Sequence, residues 1–183
     1  NYKQNKVKRK NKDYELETIH HIQELLEMQF PIASSNLRPL INVDNVPITK
    51  YIDHNINKLY QKGVVRRPRC QYSSITQLSL NMNVPIEVSI EKDNGKLYSQ
   101  LIKRVSGKGE HCAIYPHTLQ NENEYKIFKN IRFPIIHLSK KDMLKYAQKH
   151  SYDHILKQTW SCWYPTNDGQ PCKKCLMCKE RIV

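Results

Sequence analysis

Four cysteines crowd into the end of the chain. Cys162, Cys172, Cys175 and Cys178 follow the spacing C-x9-C-x2-C-x2-C within TWSCWYPTNDGQPCKKCLMCKER. Four thiolates close a tetrahedron around zinc, the ligand set of structural zinc sites. The two C-x2-C steps let one tight turn present neighbouring sulfurs to a single ion. The longer arm holds Pro165, Asn167, Asp168, Gly169 and Pro171, residues that fold a chain back on itself and return Cys162 to the other three. Two other chemistries use the same atoms. An iron–sulfur cluster is one, since C-x2-C-x2-C opens some ferredoxin motifs, though no cysteine follows Cys178. A pair of disulfides is the other, and it needs an oxidising compartment. Lys173, Lys174, Lys179 and Arg181 surround the cluster and offset the charge of four thiolates on a divalent ion.

The other chemically suggestive residues are fewer. Arg66, Arg67 and Arg69 bracket Pro68 just ahead of an expected helix. Arginine grips phosphate and carboxylate in bidentate fashion, and a helix start favours anions, so this loop is a candidate nucleotide or substrate contact. Gly107-Lys108-Gly109 is too short for a G-x-x-x-x-G-K-[ST] phosphate loop. His20 and His21 are adjacent on a helical stretch and point to different faces, as surface residues do. Cys70 and Cys112 are isolated and read as buried thiols, with His111 beside Cys112 a weak nucleophile–base suggestion. Trp160, Trp163 and Tyr164 either pack the cysteine segment or offer rings to bases.

Elements must position these groups. Apolar spacing predicts helices over Asp13–Gln29 and Thr49–Lys62, the second closed by Gly63, and over Cys70–Met82, Leu97–Val105 and Asn123–Lys129. Ser139 opens a further helix, and Tyr152 a short one. Branched, alternating stretches predict strands at Leu40–Val46, Pro85–Ile90 and Ile131–His137. Asp93-Asn94-Gly95 reads as a turn. Helices alternating with strands imply an α/β fold with parallel strands and crossover helices. The organisation expected is an α/β nucleotide-binding-like domain over residues 1–158, with a four-cysteine zinc-binding segment at 159–183 packed on it.

Composition bounds the rest. The 183 residues suffice for a core, and hydrophobic residues make up 39%, with only 5 glycines, so a low-complexity chain is excluded. No apolar run reaches transmembrane length, and the cysteine usage fits a reducing, cytoplasmic setting. Thirty Lys and Arg against 17 Asp and Glu leave a formal net charge of +13, which favours anionic partners such as nucleotides or nucleic acid. Residues 3–12 form a basic run that is solvated or holds an anion. The first residue is Asn1 rather than Met, so a preceding segment is expected.

Taken together, FPIIHLSKKD at 133–142, HILKQTWSC at 154–162, and Cys172, Cys175, Cys178 and Arg181 resemble the tail of the 7-cyano-7-deazaguanine synthase family of queuosine biosynthesis. The likeness is specific over about the last fifty residues and weaker before residue 130. It implies a doubly wound parallel sheet of the adenine nucleotide alpha-hydrolase-like, PP-loop type, here lacking its first strand and ending in a zinc knuckle. It implies an ATP-dependent ligase, with Mg²⁺ accompanying ATP. ATP adenylates the carboxylate of 7-carboxy-7-deazaguanine, ammonia displaces AMP to give an amide, and a second activation removes water to give the nitrile. Cys162, Cys172, Cys175 and Cys178 match the structural zinc ligands, and Lys140 matches the lysine of the LSK segment. The partners implied are a 7-deazapurine substrate, ATP and ammonia, with a homodimer a further candidate and no membrane.

The family's SGGxDS pyrophosphate loop does not occur in these residues, nor does its YPDCR phrase, of which Tyr115-Pro116 is a faint echo. Backbone amides of that loop hold the ATP phosphates, so it is expected upstream of Asn1, and the 183 residues alone are not expected to adenylate. The alternative is a non-catalytic, zinc-bearing nucleic-acid-binding protein.

Overall fold

A computed structural model describes residues 10–43, 45–68, 70–92, 95–119 and 121–181. Among these, eight helices and four short strands carry labels: α1 (Lys12–Gln29), α2 (Pro31–Ser34), α3 (Lys50–Gln61), α4 (Gln71–Met82), β1 (Ile86–Glu87), α5 (Gly95–Leu101), β2 (Val105–Ser106), β3 (Ala113–Ile114), β4 (Ile131–Arg132), α6 (Lys140–Lys149), α7 (Asp153–Leu156) and α8 (Leu176–Lys179). A 3-10 helix spans Asn123–Phe128, where an α-helix is expected from sequence. The chain divides into two compact units: Ile41–Lys140, and Asn1–Leu40 together with Lys141–Val183.

The first unit holds the sheet. On α3, Ile52, Ile56 and Leu59 recur at helical spacing and are fully buried. Thr49 caps this helix: its side chain accepts from Ile52 N–H at 3.5 Å, while Gln77 Oε1 holds Thr49 through its backbone N–H (2.9 Å) and hydroxyl (2.8 Å). Gly63 ends it at φ +63°, and Val64 N–H reaches back to Leu59 C=O at 2.8 Å, the left-handed closure glycine permits. Leu97, Leu101, Ile114, Ile127, Phe128, Ile131, Phe133 and Ile136 complete the core, with Phe128 and Phe133 edge to face at 6.3 Å.

α4 behaves differently from an apolar helix. Its buried residues are Ser73, Thr76, Gln77 and Ser79. Thr76 Oγ1 donates to Tyr72 C=O (2.6 Å) and Ser79 Oγ to Thr76 C=O (2.9 Å). Thr76 and Ser79 are satisfied within their own helix and Gln77 by Thr49, so these small polar groups can be buried; Ser73 Oγ is left without a hydrogen-bond partner.

The sheet order is β1-β4-β3-β2. β1 and β4 are parallel, Ile86 opposite Ile131; β3 is antiparallel to both β4 and β2. The sheet is therefore mixed, not the wholly parallel one expected from sequence. The cause is connection length. Six residues join β2 to β3, enough only for an antiparallel return, whereas a parallel partner needs a crossover of a dozen or more. The strand expected at Leu40–Val46 is absent among the described residues there; Ile41 is 76% exposed, and a strand without a neighbour leaves its backbone groups unpaired. α5 ends at Leu101, short of its expected end at Val105, which instead begins β2. The Asp93-Asn94 part of the expected turn lies outside the described residues, as do residues 3–9 of the basic run.

An ion-pair group ties this unit together. Arg104 embraces Glu122 with Nε and Nη2, its guanidinium lying 4.0 Å from the centre of the Tyr125 ring, and Lys62 pairs with the buried Glu124. Arg104 bonding holds the Glu122 carboxyl below its ordinary range. Burial pushes Glu124 up most strongly, but the Lys62 bond and charge together with its own backbone amide outweigh it, and the net shift is downward.

The second unit contains α1, α2, α7, α8 and all but the first residue of α6. α1 starts at Lys12 after Asn11, not with Asp13 as cap, and Asp13 and Glu15 fall in its first turn, where the helix dipole favours acids. Leu16, Ile22 and Leu26 are only half-buried. His20 and His21 are exposed, as expected. No helix among the described residues is long and apolar enough to cross a membrane.

Candidate metal centre

The C-terminal segment folds around its sulfurs. Thr166 and Gln170 close the arm between Cys162 and Cys172: Thr166 N–H donates to Gln170 C=O at 2.9 Å and Gly169 N–H to Thr166 C=O at 3.1 Å. Gly169 sits at φ +80°, against the Tyr14 ring. Trp160 Nε1 donates to Cys162 C=O at 2.8 Å, and its ring stacks on Tyr14 at 4.9 Å and 14°. Arg181 Nη2 donates to Lys157 C=O at 2.6 Å.

The four sulfurs of Cys162, Cys172, Cys175 and Cys178 all lie within 4.8 Å of one another, with Cys172 and Cys178 at 4.0 Å. A zinc–sulfur bond of about 2.3 Å implies tetrahedral edges of roughly 3.8 Å, so small adjustments would seat an ion. Cys162 is buried and the other three half-buried. Backbone amides point at the sulfurs: Cys172 N–H to Cys162 Sγ at 3.2 Å, and Cys175 N–H to Cys172 Sγ at 3.3 Å. Such donors stabilise thiolate ligands from outside the metal's own shell.

The thiols' acidities reflect this crowding. Amides of Lys174 and Cys175 pull Cys172 down. Burial works against ionisation of Cys175, yet amides of Trp163 and Cys178 and the neighbouring thiols bring it to about 6. Burial, then the neighbouring Cys175, pushes Cys178 up to about 12. Sulfurs this close resist ionising together, and a divalent cation is what allows it. The donor set fits zinc, and four sulfurs leave no open position for chemistry on the metal. All six cysteines are free thiols.

The remaining sequence candidates lie in the sheet-bearing unit. Arg66 and Arg67 are exposed, and Arg69 lies outside the described residues. Lys140 Nζ is 3.9 Å from Glu91 Oε1. Tyr72, second residue of α4, connects the two: burial pushes its hydroxyl up, Gln71 pulls it down, Glu91 adds to the rise and Arg66 opposes it. Arg66, Tyr72, Glu91 and Lys140 thus form a chain of electrostatic neighbours. Glu91 and Lys140 stand on the segments that follow β1 and β4, at the carboxyl ends of the parallel pair, where α/β folds place ligands. Lys92 N–H to Leu138 C=O (2.8 Å) ties those two segments. Sequence reading missed Tyr72 and Glu91; Glu91 is distant from Lys140 in the chain, and no local pattern links them. Cys112 is fully buried, its Sγ 3.8 Å from Nε2 of the exposed His137, and burial raises its thiol pKa.

A mixed α/β body and a four-cysteine cluster define the class: an α/β protein with a zinc-type knuckle. Residues 108–182 match the family model described as queuosine biosynthesis protein QueC. That stretch, running from the loop before β3 through the last cysteine, is related to the 7-cyano-7-deazaguanine synthase family, whose fold is of the PP-loop type. The description of that family places it in queuosine biosynthesis. No curated protein and no solved structure shows significant similarity to the chain.

Proposed function

We propose that this chain serves an ATP-dependent ligase of the 7-cyano-7-deazaguanine synthase type. Its substrate is a 7-carboxy-7-deazaguanine-type carboxylate, activated by adenylation and converted with ammonia to the amide and, after a second activation, the nitrile. The observation that carries this reading is the convergence of Cys162, Cys172, Cys175 and Cys178 inside the stretch that matches the family. Bound zinc would offset half of the thiolates' charge and hold residues 159–183 in shape. Residues 1–158 would act as the nucleotide-binding-like body. Arg66, Arg67, Arg69 and Lys140 are the proposed contacts to the substrate carboxylate or to phosphate, as cations suited to anionic oxygens. Glu91, 3.9 Å from Lys140, would hold its ammonium in place.

SGGxDS does not occur in the 183 residues, and under this reading the β- and γ-phosphates would be held by a loop outside them. Positioning of those phosphates supplies most of what such a site contributes to adenylation. The test is AMP release with 7-carboxy-7-deazaguanine and ammonium, comparing the 183-residue chain with one extended by an SGGxDS-bearing segment. AMP and amide are expected from the extended chain alone. AMP from the short chain would refute the loop argument, and an inert extended chain would refute the ligase reading.

A further inference from the structure

α6 carries a face the fold leaves uncovered. At about 100° per residue, Met143, Leu144 and Ala147 group on one side; Ala147 is buried and the other two half-buried. Lys141, Lys145 and Lys149 recur every fourth residue on the opposite side, across an arc of about 80°. All three are exposed, and none is paired with a carboxylate of the described residues. Asp142 is the one acid in α6.

Next to this stripe stands an aromatic group. Tyr146 is 57% exposed, and its ring lies 4.3 Å from that of His150 and 6.3 Å, edge on, from Tyr152. The end of the helix holds them. Ser151 adopts φ +60°, Tyr152 N–H returns to Ala147 C=O at 3.0 Å and Ser151 N–H to Gln148 C=O at 3.2 Å. That left-handed closure folds Tyr152 back beside Tyr146, so the platform is preformed.

We propose that this face of α6 binds single-stranded nucleic acid, with Lys141, Lys145 and Lys149 along the phosphates and Tyr146 and His150 under the bases. Cations spaced about 6 Å apart along a helix track a backbone, and an exposed ring stacks only on an unpaired base. The net charge of +13 adds long-range attraction. A solvated lysine stripe alone would need no ring cluster beside it.

The test uses the full zinc-loaded chain and a fluorescein-labelled 12-mer of dT or U, read by anisotropy between about 25 and 200 mM salt. Replacing Lys141, Lys145 and Lys149 together by Gln is expected to lower the slope of log affinity against log salt by about 2. Tyr146→Ala is expected to weaken oligonucleotide binding about tenfold while leaving the slope and heparin binding unchanged, and Tyr146→Phe to restore it. An unchanged slope in the triple variant would overturn the proposal. So would equal loss of heparin and oligonucleotide binding in Tyr146→Ala, failure of Phe to rescue, or duplex of the same sequence binding as tightly as the single strand.

Discussion

Gly169→Ala probes the coupling between the metal segment and α1. Gly169 has φ +80°, and a left-handed conformation costs a residue with a side chain about 1–2 kcal/mol. The added Cβ would also lie 3.2 Å from Tyr14 Oη and 3.3 Å from Tyr14 Cε1. The ring must then move, weakening its stack on Trp160, worth about 0.5–1.5 kcal/mol. Together the loss is about 1.5–3.5 kcal/mol. The arm carrying Gly169 spans Cys162 and Cys172, so the loss should appear as zinc affinity about 10- to 300-fold weaker. Competition against a chromogenic chelator measures this, and tryptophan fluorescence in guanidinium reports the matching stability change. In a Tyr14→Ala background the clash is gone and only the backbone cost remains, so Gly169→Ala should cost about 0.5–1.5 kcal/mol less there. An affinity within threefold of the parent would refute the strain argument, and equal penalties in both backgrounds would refute the Tyr14 contact.

Three further outcomes are expected. Cys175→Ser should lower zinc from one equivalent per chain towards none by elemental analysis and destabilise the C-terminal segment, because metal-binding energy becomes folding energy; full zinc retention, or iron in the parent, would contradict the assignment. Glu122 and Glu124 are depressed, so their contribution is present above the ordinary carboxylate pKa of about 4.3 and lost as pH falls through the lower folded values. Urea midpoints should hold between about pH 7 and 5 and drop below about pH 4, less steeply in Glu122→Gln. Charge reversal at Arg66 and Arg67 should weaken binding of a 7-deazaguanine carboxylate at least tenfold by calorimetry; unchanged affinity would return the loop to solvent-facing surface.

The features legible in the amino-acid order are local. Ile52, Ile56 and Leu59 mark a helix by spacing, Gly63 marks its end, and the cysteine spacing with its turn-rich arm marks a ligand set, because each rests on neighbours a few residues apart. The other features depend on contacts between distant parts of the chain. Tertiary structure made the sheet mixed, since strand direction depends on which edges meet. Among the described residues it withheld a strand from the apolar stretch after Pro39, since a strand exists only with a partner. It buried the hydroxyls of Thr76 and Ser79 on α4, where the helix's own carbonyls satisfy them. Composition treats Trp160, Trp163 and Tyr164 alike. The fold stacks Trp160 on Tyr14 and leaves Trp163 39% and Tyr164 61% exposed, because burial is set by the opposing surface, and Tyr14 is far from Trp160 along the chain.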